Sequence, residues 1–255
     1  MNLPAPALEP ALALAPSVIT AGIHAIHEDA DLLVLQKPPG LLCVPGRGPD
    51  KQDCLSARAQ QRWPDALIVH RLDQATSGLV LMARHLEAQR RLSQAFAERQ
   101  VHKRYQAVVQ GCLVAAEGGM EDCGENDGVD NKGGSGAWNE INLPIAADWE
   151  RRPLRVIDHA TGKPSLTRWR VRHHDAARNI TQVELEPVTG RTHQLRVHLA
   201  AVGHPILGDA LYADAATLSR APRLLLHASQ LAFEHPVTAE RVALEWIENF
   251  DEIGL

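Results

Sequence analysis

The stretch HRLDQATSGLVLMAR, His70 to Arg84, decides how the rest of the chain is read. Its first half is polar and turn-rich: a basic dipeptide, one acid at Asp73, then Thr76, Ser77 and Gly78. Its second half, Leu79 to Ala83, is an unbroken apolar run of strand length. A loop seated on a rigid strand is a common way to present a reactive side chain. Taken alone, Asp73 beside Arg71 equally describes a surface ion pair or a turn cap.

Working outward, Leu67 to Val69 is a brief strand leading into His70, and Asp53 is placed to cap a short helix ending at Arg62, before Pro64. Ile23 to Leu35 reads as two short strands about the turn residues Glu28 to Asp31, and Pro38-Pro39-Gly40 forces a turn. Downstream, His85 to Arg99 has helical spacing, with Ala88, Leu92, Ala95 and Phe96 on one face. His102 to Gln110 reads as a strand with Tyr105, Ala107 and Val109 on one side, and Thr181 to Glu186 alternates as another. Thr192 is placed to cap a helix whose apolar side is Leu195, Leu199 and Val202, ended by Gly203 and Pro205. Leu224 to Phe233 and Val242 to Trp246 close the chain as strands. Trp169 falls in an alternating pattern and is assigned to the core; Trp149 is left open between core packing and base stacking.

The net charge of -5 argues against a nucleic-acid partner until its distribution is examined. Residues 112–136 carry six acids against Lys132, and residues 234–255 carry six against Arg241. Each segment nets -5, so the remainder nets +5 and is a basic surface suited to phosphate. Residues 1–20 are an Ala/Pro-rich leader expected to be disordered: they lack a positive start, and prolines break their apolar run. No apolar run approaches the roughly 20 residues of a membrane span. Residues 115–137, rich in Gly, Asp and Glu, read as an acidic insert without periodicity. The four cysteines show no tight ligand spacing and are taken as reduced, buried or incidental, and His193 with His198 lack the i, i+4 geometry of a zinc pair.

Four ordered blocks then carry a resemblance: KPPGL at 37–41, the HRLD…TSG signature, GRTHQLRVHLAAVGHPILGD at 190–209, and LLLHA at 224–228. Together they resemble the RluA-type pseudouridine synthases. The resemblance implies an α+β catalytic domain, here residues 21–255, with a central mixed, mainly antiparallel sheet in two halves flanking an RNA cleft. It implies isomerisation of specific uridines in structured RNA, namely large-subunit rRNA, a tRNA anticodon stem-loop, or both. No cofactor and no metal are expected, and the protein is expected to act as a cytoplasmic monomer.

By the same resemblance Asp73 is the nucleophile, Arg191 the arginine that pairs with it, and Tyr105 the ring that stacks on the target uracil and assists loss of its C5 proton. Arg71 is implied to enter the space vacated by a flipped base, and Leu195 to line the uracil pocket. His70 and Lys103 complete the substrate-binding set, His70 as an orienting residue of the loop. His193, His198, His204 and His227 are read as structural. Attack at ribose C1′, attack at uracil C6 and elimination through a glycal all remain open. Two rivals are set against this reading: an RNA-binding protein of the same fold without catalysis, and a hydrolase pairing Asp73 with a histidine. The hydrolase lacks a motif-placed serine or cysteine nucleophile.

Overall fold

All seven residues of the strand Ser77–Ala83 are buried, and the molecule is layered about it. The computed structural model describes residues 23–114 and 137–253; the leader and almost all of the acidic insert lie outside them. In chain order the elements are β1 (His24–Glu28), β2 (Leu32–Lys37), α1 (Leu55–Arg62), β3 (Leu67–Ile68), β4 (Ser77–Ala83), α2 (Leu86–Ala97) and β5 (His102–Gln110). There follow β6 (Asn139–Asn142), β7 (Ile145–Ala147), β8 (Arg155–Ile157), β9 (Leu166–Asp175), β10 (Ile180–Pro187), α3 (Gln194–Ala201), α4 (Ala215–Leu218), β11 (Leu226–Glu234) and β12 (Arg241–Glu245). The fold is α+β, as expected. One ten-stranded sheet runs β1-β2-β4-β11-β5-β10-β9-β6, with β12 on β11 and β3 on β4; β7 and β8 form a separate hairpin. The pairing of β4 with β11 is parallel and every other strand pair in this sheet is antiparallel.

In the first half the sheet is covered on both faces, and period-2 alternation sorts the side chains. Leu33 and Leu35 join Val80 and Met82 against Leu55, Ala59 and Trp63. Leu32 and Val34 join Leu79 and Leu81 against Ala88 and Leu92 of α2. A strand buried on both faces is apolar throughout, which is why 79–83 shows no alternation. In the second half one face is apolar, with Val109, Trp169, Val183 and Leu185 packed with Leu195 and Leu199. The other face is ionic: Glu184 receives Arg104, Arg170 and Arg172 at 3.1, 2.6 and 3.4 Å. The two halves meet where β11 lies beside β4 with Ala228 opposite Gly78. Gly78 sits at φ +119°, and a Cβ there would lie 2.3 Å from the Ala228 carbonyl oxygen, so only glycine permits this approach.

Two expected caps are corrected. Asp53 does not cap α1; its carboxylate takes the Arg58 guanidinium through two 2.6 Å hydrogen bonds, and Cys54 is the N-cap residue. Thr192 does not cap α3 either: His193, left-handed at φ 58°, is the N-cap residue, and α3 is buried along Gln194 to Leu199. Helix α2 starts one residue inside its expected range, with His85 Nδ1 accepting the Ala88 N–H, and stops where Arg99 turns left-handed at φ 62°. Trp169 is core, whereas Trp149 is 72% exposed. The cysteines are not all reduced: Cys43 and Cys54 are free and buried, while Cys112 is disulfide-bonded. Among the described residues no helix is long and apolar enough to cross a membrane.

Candidate active site

The loop between β3 and β4 is fastened from below by the KPPGL block. Lys37 is fully buried and donates to three carbonyls, Pro38 O at 2.9 Å, Leu41 O at 2.7 Å and Gln74 O at 3.0 Å. Gly40 N–H also donates to Gln74 O, at 2.9 Å, and Gln74 Nε2 donates back to Gly40 O at 3.0 Å. Cys43 Sγ accepts the Leu72 N–H at 3.2 Å. Burial lowers the Lys37 ammonium to about 8, against the opposing pull of Cys43 and Asp73. His70 holds the other end. Its Nε2 accepts the Leu81 N–H at 2.9 Å, in the gap on β4 between β11, which pairs at Ser77 and Gly78, and β3, which pairs at Met82 and Ala83. The ring stacks on Phe96 with centroids 4.3 Å apart, and burial, then Lys103, lowers it to about 3, so it is neutral at physiological pH.

This fastening leaves Asp73 at the floor of a cleft of about 310 Å³ between the two halves of the sheet. The cleft is lined by His70, Arg71, Lys103, Tyr105, Arg191 and Leu195, so all seven candidate site residues meet there, together with His193 and Arg196. Arg71 is exposed at its rim. Lys103 is 5.9 Å from the centroid of Phe96, and burial, then Arg99, lowers its ammonium. Tyr105 is carried on β5 opposite Leu185 and Ala228; burial, then Asp73, raises its phenol well above the ordinary range. Leu195 is buried in the core and still lines the cleft.

The expected partner of Asp73 is corrected. Arg191 reaches the Pro164 carbonyl oxygen at 3.4 Å from both Nε and Nη2, and among the described residues it has no carboxylate within ion-pair distance. The cation beside Asp73 is Arg196, with Nη1 3.6 Å from Asp73 Oδ2. Arg196 is 3% exposed and donates its Nε and Nη2 to fully buried Asp209 at 2.8 and 2.6 Å. Asp209 also accepts the Leu211 and Tyr212 N–H groups. The guanidinium fork is thus spent on Asp209, and the remaining Nη1 is presented to Asp73. Both arginines stand in one motif. Arg191 sits before the helix at the mouth, whereas Arg196 lies on its inner face beside Leu195. The available signal was Asp209, a lone acid at the end of the same block that requires a cation once buried.

His193, read from sequence as structural, also faces this carboxylate, with Nε2 4.0 Å from Asp73 Oδ2. His198 does not: its Nδ1 meets Thr167 Oγ1 and its Nε2 the Leu143 carbonyl, both at 2.9 Å. Away from the cleft, ligand atoms of Asp29, Asp31 and His235 lie within 4.8 Å of one another. His235 Nδ1 accepts the Val237 and Thr238 N–H groups, which leaves its proton on Nε2, directed at the two carboxylates. A Ser77–His227–Glu248 cluster, at 2.9 and 3.2 Å, has both Ser77 and His227 at 2% exposure or less, so it offers no substrate a route to a nucleophile.

Asp73 and the buried Arg196 guanidinium thus face one another in a cleft lined by basic side chains, in a mixed, mainly antiparallel sheet. Residues 31–201 match the family of RNA pseudouridylate synthases, and the chain belongs to that family. It is similar to the dual-specificity RNA pseudouridine synthase RluA of Pasteurella multocida, 42% identical over 215 residues, 84% of this chain and 88% of that one. The RluA protein of Escherichia coli is 42% identical over 211 residues, 83% of this chain and 86% of that one. The human RNA pseudouridylate synthase domain containing 1 has a similar structure, with a TM-score of 0.70 at 28% identity over 93% of this chain and 87% of that one.

Proposed function

We propose that Asp73 is the nucleophile of this pseudouridine synthase, and that a uridine flipped from structured RNA enters the cleft to meet it. The observation that carries this is the placement of Asp73 3.6 Å from buried Arg196 at the cleft floor. A fixed guanidinium beside the carboxylate pairs with its negative charge and holds it in place. The reaction breaks the bond from uracil N1 to ribose C1′, joins C5 to C1′, releases the C5 proton and protonates N1. It consumes no redox equivalent and no activated phosphate. A stacked uridine cannot reach the floor, so the base leaves the helix, and Arg71 at the rim takes its place. Tyr105 stacks on the uracil; a phenol held protonated by burial is a poor acceptor for the C5 proton and serves better as a platform or donor.

The substrates are structured RNAs of two kinds, large-subunit rRNA and a tRNA anticodon stem-loop. The dual specificity in the names of the Pasteurella multocida and Escherichia coli relatives supports that breadth. We further propose that the protein works as a cytoplasmic monomer with residues 21–255 as one catalytic domain. The test is tritium release from C5-labelled uridine RNA by the wild type and by Asp73→Asn, with pseudouridine mapping in total RNA with and without the gene. Turnover by Asp73→Asn would remove the nucleophile assignment, and an unchanged map would remove the substrate assignment.

A further inference from the structure

The left-handed turn at His193 interrupts the approach to α3 and points the imidazole inward. Its Nδ1 lies 2.7 Å from the Tyr212 hydroxyl, and that hydroxyl accepts the Arg155 N–H at 2.9 Å. The two rings meet edge to face at 5.6 Å. A phenol oxygen that accepts a backbone N–H keeps its own proton to give, and His193 Nδ1 is the acceptor in reach. A neutral imidazole whose Nδ1 accepts carries its proton on Nε2, the nitrogen that faces Asp73. A directed chain results: Arg155 N–H to Tyr212, Tyr212 O–H to His193, His193 N–H toward Asp73.

From this geometry we infer that His193 is a positioning residue for the isomerisation, a neutral hydrogen-bond donor that orients Asp73 through a tautomer set by Tyr212. The inference rests on Asp73 being the nucleophile. Its logic is a division of labour between two groups on the same carboxylate. Arg196 places a positive charge 3.6 Å from Asp73 Oδ2. His193, being uncharged, fixes direction without a second full charge that would blunt the nucleophile. The 4.0 Å separation is longer than a hydrogen bond, and closing it needs only a small movement of the Asp73 side chain as the nucleotide enters.

The charged and titratable groups that face His193 are Asp73 from the catalytic loop, Arg196 from α3, Arg155 from β8, and Asp209 and Tyr212 from the segment after α3. Burial lowers the imidazole below its ordinary 6.5; Asp73 and Asp209 pull it up, and Arg196 and Arg155 push it down. On acidification the ring gains a second proton and becomes a cation against Asp73. The rate then falls as the imidazole becomes charged.

The experiment uses the full chain and two substitutions at one site. Asparagine tolerates the left-handed backbone and keeps a polar atom near Tyr212, but falls short of Asp73. Glutamine reaches the place of Nε2 with a donor that does not titrate. His193→Asn is expected to lower the single-turnover rate by about 10- to 100-fold with RNA affinity within about twofold. His193→Gln is expected to recover most of that loss and to lack the part of the acid fall that the imidazole causes. Tyr212→Phe leaves the imidazole in place but removes the proton given to Nδ1, so its acid fall moves to higher pH. A wild-type rate in His193→Asn overturns the inference. So does equal slowness of both variants with an unmoved pH profile, or a Tyr212→Phe profile that superimposes on wild type. Absence of tritium release from wild type, or its persistence in Asp73→Asn, would instead strike the assignment of the reaction.

Discussion

The wall of the cleft that carries Asp73 and the wall that carries Arg196 are held by opposite kinds of chemistry. The first is fastened through its backbone: buried Lys37 gathers three carbonyls, and His70 accepts the Leu81 N–H. The side chains of Asp73 and Arg71 take no part in this fastening. The second is fastened through side chains: Asp209 takes two donors of Arg196, and Gln194 accepts from Thr189 and the Arg191 N–H and donates to the Leu166 carbonyl. Asp73, the proposed nucleophile, is mounted on a loop held through bonds to its main chain, and the cation beside it on a buried salt bridge. Damage to the first should therefore be read in stability, and damage to the second in both stability and rate.

The largest expected effect is that of Asp73→Asn, which removes the proposed nucleophile with little change in volume. Tritium release should vanish while RNA affinity stays within about a few-fold, as a filter-binding titration would report. Next comes Arg196→Met, which unpairs buried Asp209 and costs about 3–5 kcal/mol in urea denaturation. The same change takes the cation from Asp73 and should slow the surviving folded enzyme by roughly 10² to 10³. If Arg196→Met were stable but slow, the salt bridge would be a catalytic fixture alone.

Lys37→Met strands three carbonyls, and a loss of about 2–4 kcal/mol is expected, with turnover per folded molecule reduced less than by Arg196→Met. Its pH signature gives a sign. The ammonium is lowered from 10.5 to about 8 on folding, so between those values the unfolded chain binds more protons than the folded one. Stability contributed by this group therefore rises with pH across that window and falls away as pH drops through about 8. The Lys37→Met variant should lack that rise in chemical denaturation at pH 8 and 10. The smallest effect is expected for Arg191→Ala. Chemistry should hold within about threefold, while the log–log salt slope of RNA affinity loses at most about 1. Greater harm from Arg191→Ala than from Arg196→Met would reverse the roles of the two arginines.

The same contrast explains what could be read from the sequence. The strand His102–Gln110 was legible to its end residues, and the first hairpin and helix α2 to within about two residues, because each is set by alternation or spacing within a few residues. The ordered blocks carried Asp73 and its neighbours in the cleft. The caps at Asp53 and Thr192 were misread because a polar residue before an apolar run does not reveal whether its oxygen meets an N–H or, as at Asp53, a guanidinium five residues on. Arg196 was passed over for a related reason. Its partner on one side is 13 residues away and on the other 123, and no local period encodes either distance. The clasp under the loop joins residues 37 apart, which also lies beyond the reach of spacing.

Gly78, packed without a side chain against Ala228, makes the two jaws of the cleft a single casting. A vise whose jaws are cast together cannot open to admit a bulky workpiece, so the workpiece must yield. Here the compliance belongs to the RNA. Candidate uridines are ranked by how cheaply the surrounding nucleotides unstack and bend to deliver one base, and hairpin loops deliver it at lower cost than paired stems. The rigidity of one glycine contact thus becomes a rule of choice among targets, imposed through the mechanics of the substrate.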